Sequence, residues 1–335
     1  MYRNKLLSSI LIVSLISGCT QENNNTSTYD VGVVVYDADD TFLLSITDKL
    51  EEMIDSDTSM RMTLNGAQRS QTTENSIVDD MIDEGVDILC VNLVDRTDTS
   101  YIINAAKDAN VPIIFFNREP VLSDLKRWSS LYYVGADATE SGRLQGLMIA
   151  SYLKEHPEAD KNNDGVIQYY IFEGEVGHQD AIVRSEAATD ALIDSGYKIE
   201  KLGYSICNWS RSEAMLATKE IIENDSNIEL MISNNDDMAA GIIDAYDEAS
   251  IDESQRPIIA GIDGTDVGLE LVEKGKMIGT VYHDANGYAQ TMYDLCKAIQ
   301  TNSDMSDISF TSERTIYLPY QTITKDNLYQ YKTQD

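Results

Sequence analysis

The sequence predicts an α/β protein of two doubly wound, parallel-sheet domains. Three observations carry that prediction. Short, continuous apolar runs rich in β-branched and aromatic residues alternate with longer stretches of helical periodicity. The alternation starts afresh near Tyr132, so the chain falls into two similar halves. A chain of 335 residues with 42% hydrophobic content is too long for one small core and comfortable as two.

Taken in order, residues 31–36 form the first β-rich run, followed by an amphipathic stretch over 40–53. A strand at 60–64, a helix near 73–84, a strand at 87–93, a helix near 99–109 and a strand at 111–116 complete the first set. The second set opens with a strand at 132–134 and a helix over 139–154, then a strand at 166–172 and a helix near 180–193. Strands at 197–203, 228–232 and 258–262 follow, with helices over 210–222, after Asp236 and after Thr265. Strands apolar throughout and joined by helices belong to parallel sheets covered on both faces.

The first residues read as an address. Arg3 and Lys5 precede an apolar run over 6–16, and Ser17, Gly18 and Cys19 follow. A charged start, a short apolar core and small residues at a cleavage point mark a secretory signal over 1–18, too short for a membrane span. The Leu15-Ile16-Ser17-Gly18-Cys19 run resembles a bacterial lipoprotein signal, with Cys19 the lipidated first residue of the mature chain. An ordinary signal with a chance cysteine is the alternative. Residues 19–29, polar and rich in Asn and Thr, suit a flexible tether, and two or more acyl chains would anchor it stably. The expected location is the outer face of the cell membrane, held by lipid, or the periplasm.

Composition excludes several classes. A net charge of −32 rules against nucleic acid, which needs clustered Lys and Arg, and against adsorption on anionic lipid. Membrane contact is therefore expected through the lipid alone. Neither G-x-G-x-x-G nor G-x-x-x-x-G-K-[ST] occurs, which counts against an NAD enzyme or an ATPase. Cys90, Cys207 and Cys296 form no C-x-x-C pair and are expected as buried free thiols.

Residues 160–168 carry the sharpest local signal. Asp160, Asn162, Asp164, the Val166 carbonyl and Gln168 occupy positions 1, 3, 5, 7 and 9 of a calcium loop, with Gly165 at the sharp turn. The twelfth position is Ile171, which cannot supply the bidentate carboxylate, and a strand follows where an EF-hand has a helix. Either a carboxylate from elsewhere completes the shell or the loop is a polar turn.

Ligands of open α/β sheets bind outside the carboxyl ends of the strands. Those ends carry Asp40 and Phe42, then Asn117, then His178 and Asp180 with Arg184 one helical turn on. Later ends carry Trp209, Asn235, Asp263 and His283. Carboxylates and amides satisfy hydroxyls in pairs, guanidinium donates in a fixed fork, and aromatic faces cover the C–H faces of a pyranose. Duller readings exist for each: Asp40 or Asp236 as a helix N-cap, a lone Phe or Trp as packing, His178 as a surface turn residue.

With these segments in hand, the chain resembles the bacterial galactose/glucose-binding proteins of ABC sugar transporters over nearly its whole mature length. The most specific stretches are 36–42, 92–95, 115–120, 132–142, the cation loop, 174–184, 234–238 and 279–286. The resemblance implies a periplasmic binding protein type I-like fold with a first lobe over 30–134 plus 286–317 and a second over 136–283 plus 319–335. A three-segment hinge would cross near Gly135, near Ala285 and before Pro319. It implies sugar contacts at Asp40, Phe42, Asn117, His178, Asp180, Arg184, Trp209, Asn235 and Asp263, with Phe42 and Trp209 sandwiching the ring. It also implies a structural Ca2+ completed by Glu229.

One position departs: His283 stands where the family has asparagine, which puts strict glucose/galactose specificity in doubt. An altered pyranose preference, or an affinity that varies near the usual histidine pKa, is the expected consequence. The expected partners are a monosaccharide and an ABC permease, with a chemoreceptor or sensor kinase as the alternative recipient, and the expected state is a monomer. A sugar-responsive repressor would need a DNA-binding headpiece where this chain has an export signal. An exported sugar-modifying enzyme is the remaining class, since carboxylate pairs are present.

Overall fold

The computed structural model describes residues 28–224, 227–303 and 305–332. The signal and Cys19 lie outside the described residues. The first lobe begins β1 (Tyr29–Val35), α1 (Thr41–Asp55), β2 (Met60–Gly66), α2 (Gln71–Glu84) and β3 (Ile88–Val91). It continues with α3 (Ser100–Ala109), β4 (Ile113–Phe116), the short α4 (Leu122–Leu125) and β5 (Leu131–Ala136). The second lobe holds α5 (Ala138–Glu155), β6 (Ile167–Glu173), α6 (Gln179–Asp194), β7 (Ile199–Ile206), α7 (Arg211–Glu223) and β8 (Leu230–Ser233). It goes on through α8 (Asp236–Glu248), β9 (Ile258–Asp263), α9 (Asp266–Glu273) and β10 (Gly279–Tyr282). Then α10 (Ala285–Gln300) and β11 (Thr315–Leu318) return to the first lobe, and β12 (Gln321–Thr324) to the second.

The two sheets run β11-β5-β4-β3-β1-β2 and β12-β10-β9-β8-β6-β7. The first is wholly parallel, whereas β12 pairs antiparallel with β10, an edge the apolar pattern did not predict. Neither β11 nor β12 has a long apolar run; each is four residues and one or two of them are fully buried. Strand β7 begins two residues later than its β-rich sequence predicts. Gly196, at φ 93°, ends α6 in a left-handed turn that absorbs Tyr197 and Lys198.

Each sheet is covered on both faces. In the first lobe, α1 and α10 bury Ile46, Leu50, Tyr288 and Met292 against one face, and α2 and α3 bury Val78, Met81 and Ile102 against the other. In the second, α7, α8 and α9 cover one face and α5 and α6 the other. Cys90 and Cys296 meet in the first core with sulfurs 4.0 Å apart, and all three described cysteines are buried free thiols. The chain passes between sheets three times: from β5 to α5, from β10 to α10, and from β11 to β12.

Candidate functional site

Helices α1, α6 and α8 all start at the carboxyl ends of strands, and their first residues face the gap between the lobes. Asp40 caps α1, its Oδ1 accepting from Leu43 N at 2.9 Å while its Oδ2 accepts from the Tyr36 hydroxyl at 2.8 Å. His178 caps α6 through Nδ1, which accepts from Asp180 N at 3.2 Å. A backbone N–H can only donate, so the proton of this neutral imidazole sits on Nε2. Asn235 caps α8 through Oδ1, and its Nδ2 donates to the Trp209 carbonyl at 3.3 Å. The cap and lining roles weighed for Asp40 therefore coexist. Asp236, at the first turn of α8, is fully buried and accepts from Thr280 Oγ1 at 2.7 Å and Thr265 N at 2.9 Å, a purely structural place.

All ten residues singled out at strand ends line one interlobe cavity: Asp40, Phe42, Asn117, His178, Asp180, Arg184, Trp209, Asn235, Asp263 and His283. Its empty space is about 420 Å3, counted out to the mouth. Tyr36, Leu43 and Arg118 complete the wall. Arg118 was missed because a basic residue beside Asn117 carries no pattern of its own. In the fold it is buried, lies 3.6 Å over the Tyr36 ring, and donates to Glu175 Oε2 of the other lobe at 2.9 Å. Thr41 Oγ1 donates to Asp237 Oδ2 across the same gap at 2.5 Å, so the lobes stand closed.

Three lining residues hold unusual backbone: Asn117 at φ 60°, Trp209 at 62° and Asp263 at 118°. Asn tolerates the left-handed region, a tryptophan rarely does, and Asp263 lies beyond it; strain of this kind clusters where function over-determines geometry. Arg184 donates through Nη1 to the Asn234 carbonyl at 2.6 Å, while its buried Nε has no partner. His283 is buried with Nδ1 likewise unpartnered, and its ring stacks on Phe42 with centroids 4.2 Å apart.

Burial sets the electrostatics. It pushes Asp40, Asp180 and Asp263 above the usual carboxylate range, against the pull of Arg118 on Asp40 and of Arg184 on the other two. Burial also holds His178 and His283 well below the usual histidine value, helped by Arg118 at His178 and by Arg184 at both. An affinity change near the ordinary histidine pKa, expected from sequence, therefore does not fit this site. Acceptors, fixed donors and the rings of Phe42 and Trp209 in one cleft wall suit a compact polyhydroxylated solute.

The loop over residues 160–168 shares no residue with the wall of this cavity. Asn163 and Gly165 turn it with φ of 54° and 75°. Asp160, Asn162, Asp164 and Gln168 are tied together: Asn162 Nδ2 lies 3.0 Å from both Asp164 Oδ2 and Gln168 Oε1, and Asp164 N donates to Asp160 Oδ1 at 3.2 Å. Glu229, just before β8, reaches in and accepts from Lys161 N at 2.6 Å and Gln168 N at 3.2 Å. Val166 donates through its N–H to Asp164 Oδ1 at 2.8 Å. Among the described residues no three His, Cys, Asp or Glu side chains converge as a metal-holding group by themselves. The loop's set of carboxylates, amides and one carbonyl is all oxygen, the chemistry a hard cation requires.

Comparison with known proteins agrees with this architecture. The family model described as periplasmic binding protein domain matches residues 31–303. The D-galactose/methyl-galactoside binding periplasmic protein of Haemophilus influenzae is 31% identical over 302 residues, covering 89% of this chain and 90% of the relative. The galactofuranose-binding protein of Escherichia coli is 26% identical, covering 77% and 79%. An ABC transporter solute-binding protein from Bacillus halodurans, solved with bound myo-inositol, is 27% identical with a TM-score of 0.78, covering 93% of this chain and all of that one. Such relatives are binding proteins of solute importers, not enzymes, and work outside the cytoplasm; no described helix here is long and apolar enough to cross a membrane. The chain belongs to the periplasmic binding protein family, among its sugar-binding members of the ABC-importer type.

Proposed function

We propose that this protein captures one monosaccharide, a pyranose of the glucose/galactose kind, by closing its lobes over it, and delivers it unchanged to an ABC permease. The observation that carries the reading is the convergence of Asp180 with the buried Asp263 and Arg184, alongside the rings of Phe42 and Trp209, in the wall of one interlobe cavity. A micromolar affinity needs about −8 kcal/mol. Hydrogen bonds to charged groups at about 1.5–3 kcal/mol each supply that with a surplus for closure. Asp180→Ala or Asp263→Ala should each cost at least one such bond.

His283 tunes which pyranose fits, because its ring is larger and less adaptable than an amide at the edge served by Asp263. Loop residues Asp160, Asn162, Asp164, Val166, Gln168 and Glu229 would hold Ca2+, whose charge would rigidify the second lobe with no part in sugar contact. Cys19 would carry the lipid that keeps the protein at the membrane. Calorimetric titration with hexoses, pentoses and myo-inositol tests the central claim: micromolar binding of one pyranose is expected, and no heat with any aldose overturns it. His283→Asn should reorder sugar affinities, and an identical sugar profile in both proteins would remove His283 from the choice of pyranose.

A further inference from the structure

We infer that Tyr288 fixes the tautomer of His283, so that the imidazole meets the sugar as an Nδ1–H donor paired with Asp263. The inference rests on the sugar-binding reading and extends it to a residue outside the cavity wall.

His283 occupies the crossing between β10 and α10 and cannot turn. Phe42 stacks on it at 4.2 Å, Tyr320 packs at 4.6 Å, and Tyr288 meets it edge-on at 5.0 Å. Its Nε2 lies 2.9 Å from the Tyr288 hydroxyl, while Nδ1 has no partner and stands 3.8 Å from Asp263 Oδ1. Two arrangements satisfy Nε2. If the imidazole donates from Nε2, the phenol hydrogen must point away from its hydrogen-bond partner inside a fully buried core, and the Nδ1 lone pair stands near the Asp263 oxygen. If the phenol donates to Nε2, the ring hydrogen moves to Nδ1 and turns toward that oxygen. The second arrangement satisfies both groups, so the first is disfavoured on both counts.

The Nδ1–Oδ1 gap is too long for a direct hydrogen bond. It suits one hydroxyl that accepts from Nδ1–H and donates to Asp263. Such a pair admits a group able to do both. A C–H, a fluorine or a methyl ether fails one half, so one free ring hydroxyl becomes obligatory. Tyr288, fully buried on α10, acts through His283 as a positioning residue and touches no ligand.

The chain has three histidines, so imidazole 15N NMR of the full protein resolves them with single His→Gln variants for assignment. His283 should show a protonated, pyrrole-like Nδ1 and a bare Nε2, and Tyr288→Phe should shift it toward a tautomer mixture. With the pyranose that binds wild type, one monodeoxy analogue should lose about tenfold or more in affinity, and Tyr288→Phe should shrink that same loss below about threefold. A wild-type His283 protonated at Nε2 overturns the inference, as does Tyr288→Phe with unchanged affinity and an unchanged deoxy profile. Wild-type protein that binds no aldose would defeat the functional reading alone, because the NMR readout of the wild type needs no ligand.

Discussion

Gly174→Ala should weaken sugar binding by displacing the Trp209 ring that packs against it. Gly174 follows β6, and a β-carbon there would lie closer than 3.0 Å to three indole atoms of Trp209, where ordinary contacts run 3.4–4 Å. The backbone at Trp209 cannot follow, since it is held at φ 62° and its carbonyl accepts from Asn235 Nδ2. The ring must retreat instead. Losing about 40–60 Å2 of apolar cover over a sugar face, at about 25 cal/mol per Å2, costs about 1–1.5 kcal/mol, or about 5- to 13-fold in Kd. Calorimetry reads the affinity. The chain has two tryptophans, so in a Trp128→Phe background the ligand-induced emission change reports on Trp209 alone and should shrink with it. A Kd within twofold of wild type together with an undiminished emission change would refute the placement of Trp209 over the sugar.

Arg118→Met removes the interlobe bond to Glu175 and the cover over Tyr36, so Kd should rise about tenfold, mainly through faster release in stopped flow; an unchanged off-rate would show that the contact does not hold the lobes shut. Because burial keeps His178 and His283 neutral, neither should give affinity a midpoint near the ordinary histidine pKa, and a midpoint there in calorimetry that His178→Gln or His283→Gln removes would contradict that. Burial pushes Glu74 up to about 7, so the native state binds the extra proton and stability is favoured below about pH 4.5 and lost as pH rises through about 7. Glu74→Gln should remove up to about 3 kcal/mol of that slope in denaturant titrations; an identical slope would mean the carboxyl titrates elsewhere. Chelation should lower the melting temperature by about 5–10 °C from a calcium level about a hundredfold above Kd, and Glu229→Gln should abolish the difference; a melting curve indifferent to EDTA would remove calcium from the loop.

Strand and helix order was legible because buried parallel strands leave runs such as Ile113–Phe116 and amphipathic helices leave stripes such as Leu43, Ile46, Leu50 and Ile54. The antiparallel β12 was not, because Gln321–Thr324 holds a single apolar residue, Ile323, in four positions. Strand ends exposed the polar lining, since Asp and Asn there are visible in the chain. Arg118 escaped because its role depends on Tyr36 and Glu175, which lie far from it in sequence. Tyr288 escaped for the opposite reason: an aromatic in an apolar helical stripe reads as core, and it is core, with only its hydroxyl turned to His283.

The same geometry explains why capping and binding coincide here. At the carboxyl end of a parallel strand the chain turns into a helix, so the cap residue necessarily stands at the mouth where ligands gather. Asp40, His178 and Asn235 each spend one polar atom on a helix amide. That bond fixes the direction of the remaining atom before any ligand arrives, and at His178 it also fixes the tautomer. Replacing such a residue by one that caps equally well but has no second polar atom, as in Asp40→Ser, should keep the helix and weaken sugar binding. Helicity held in circular dichroism with a Kd raised about tenfold is the expected pair of results. Retained affinity would mean that the cap alone had been the reason for the carboxylate.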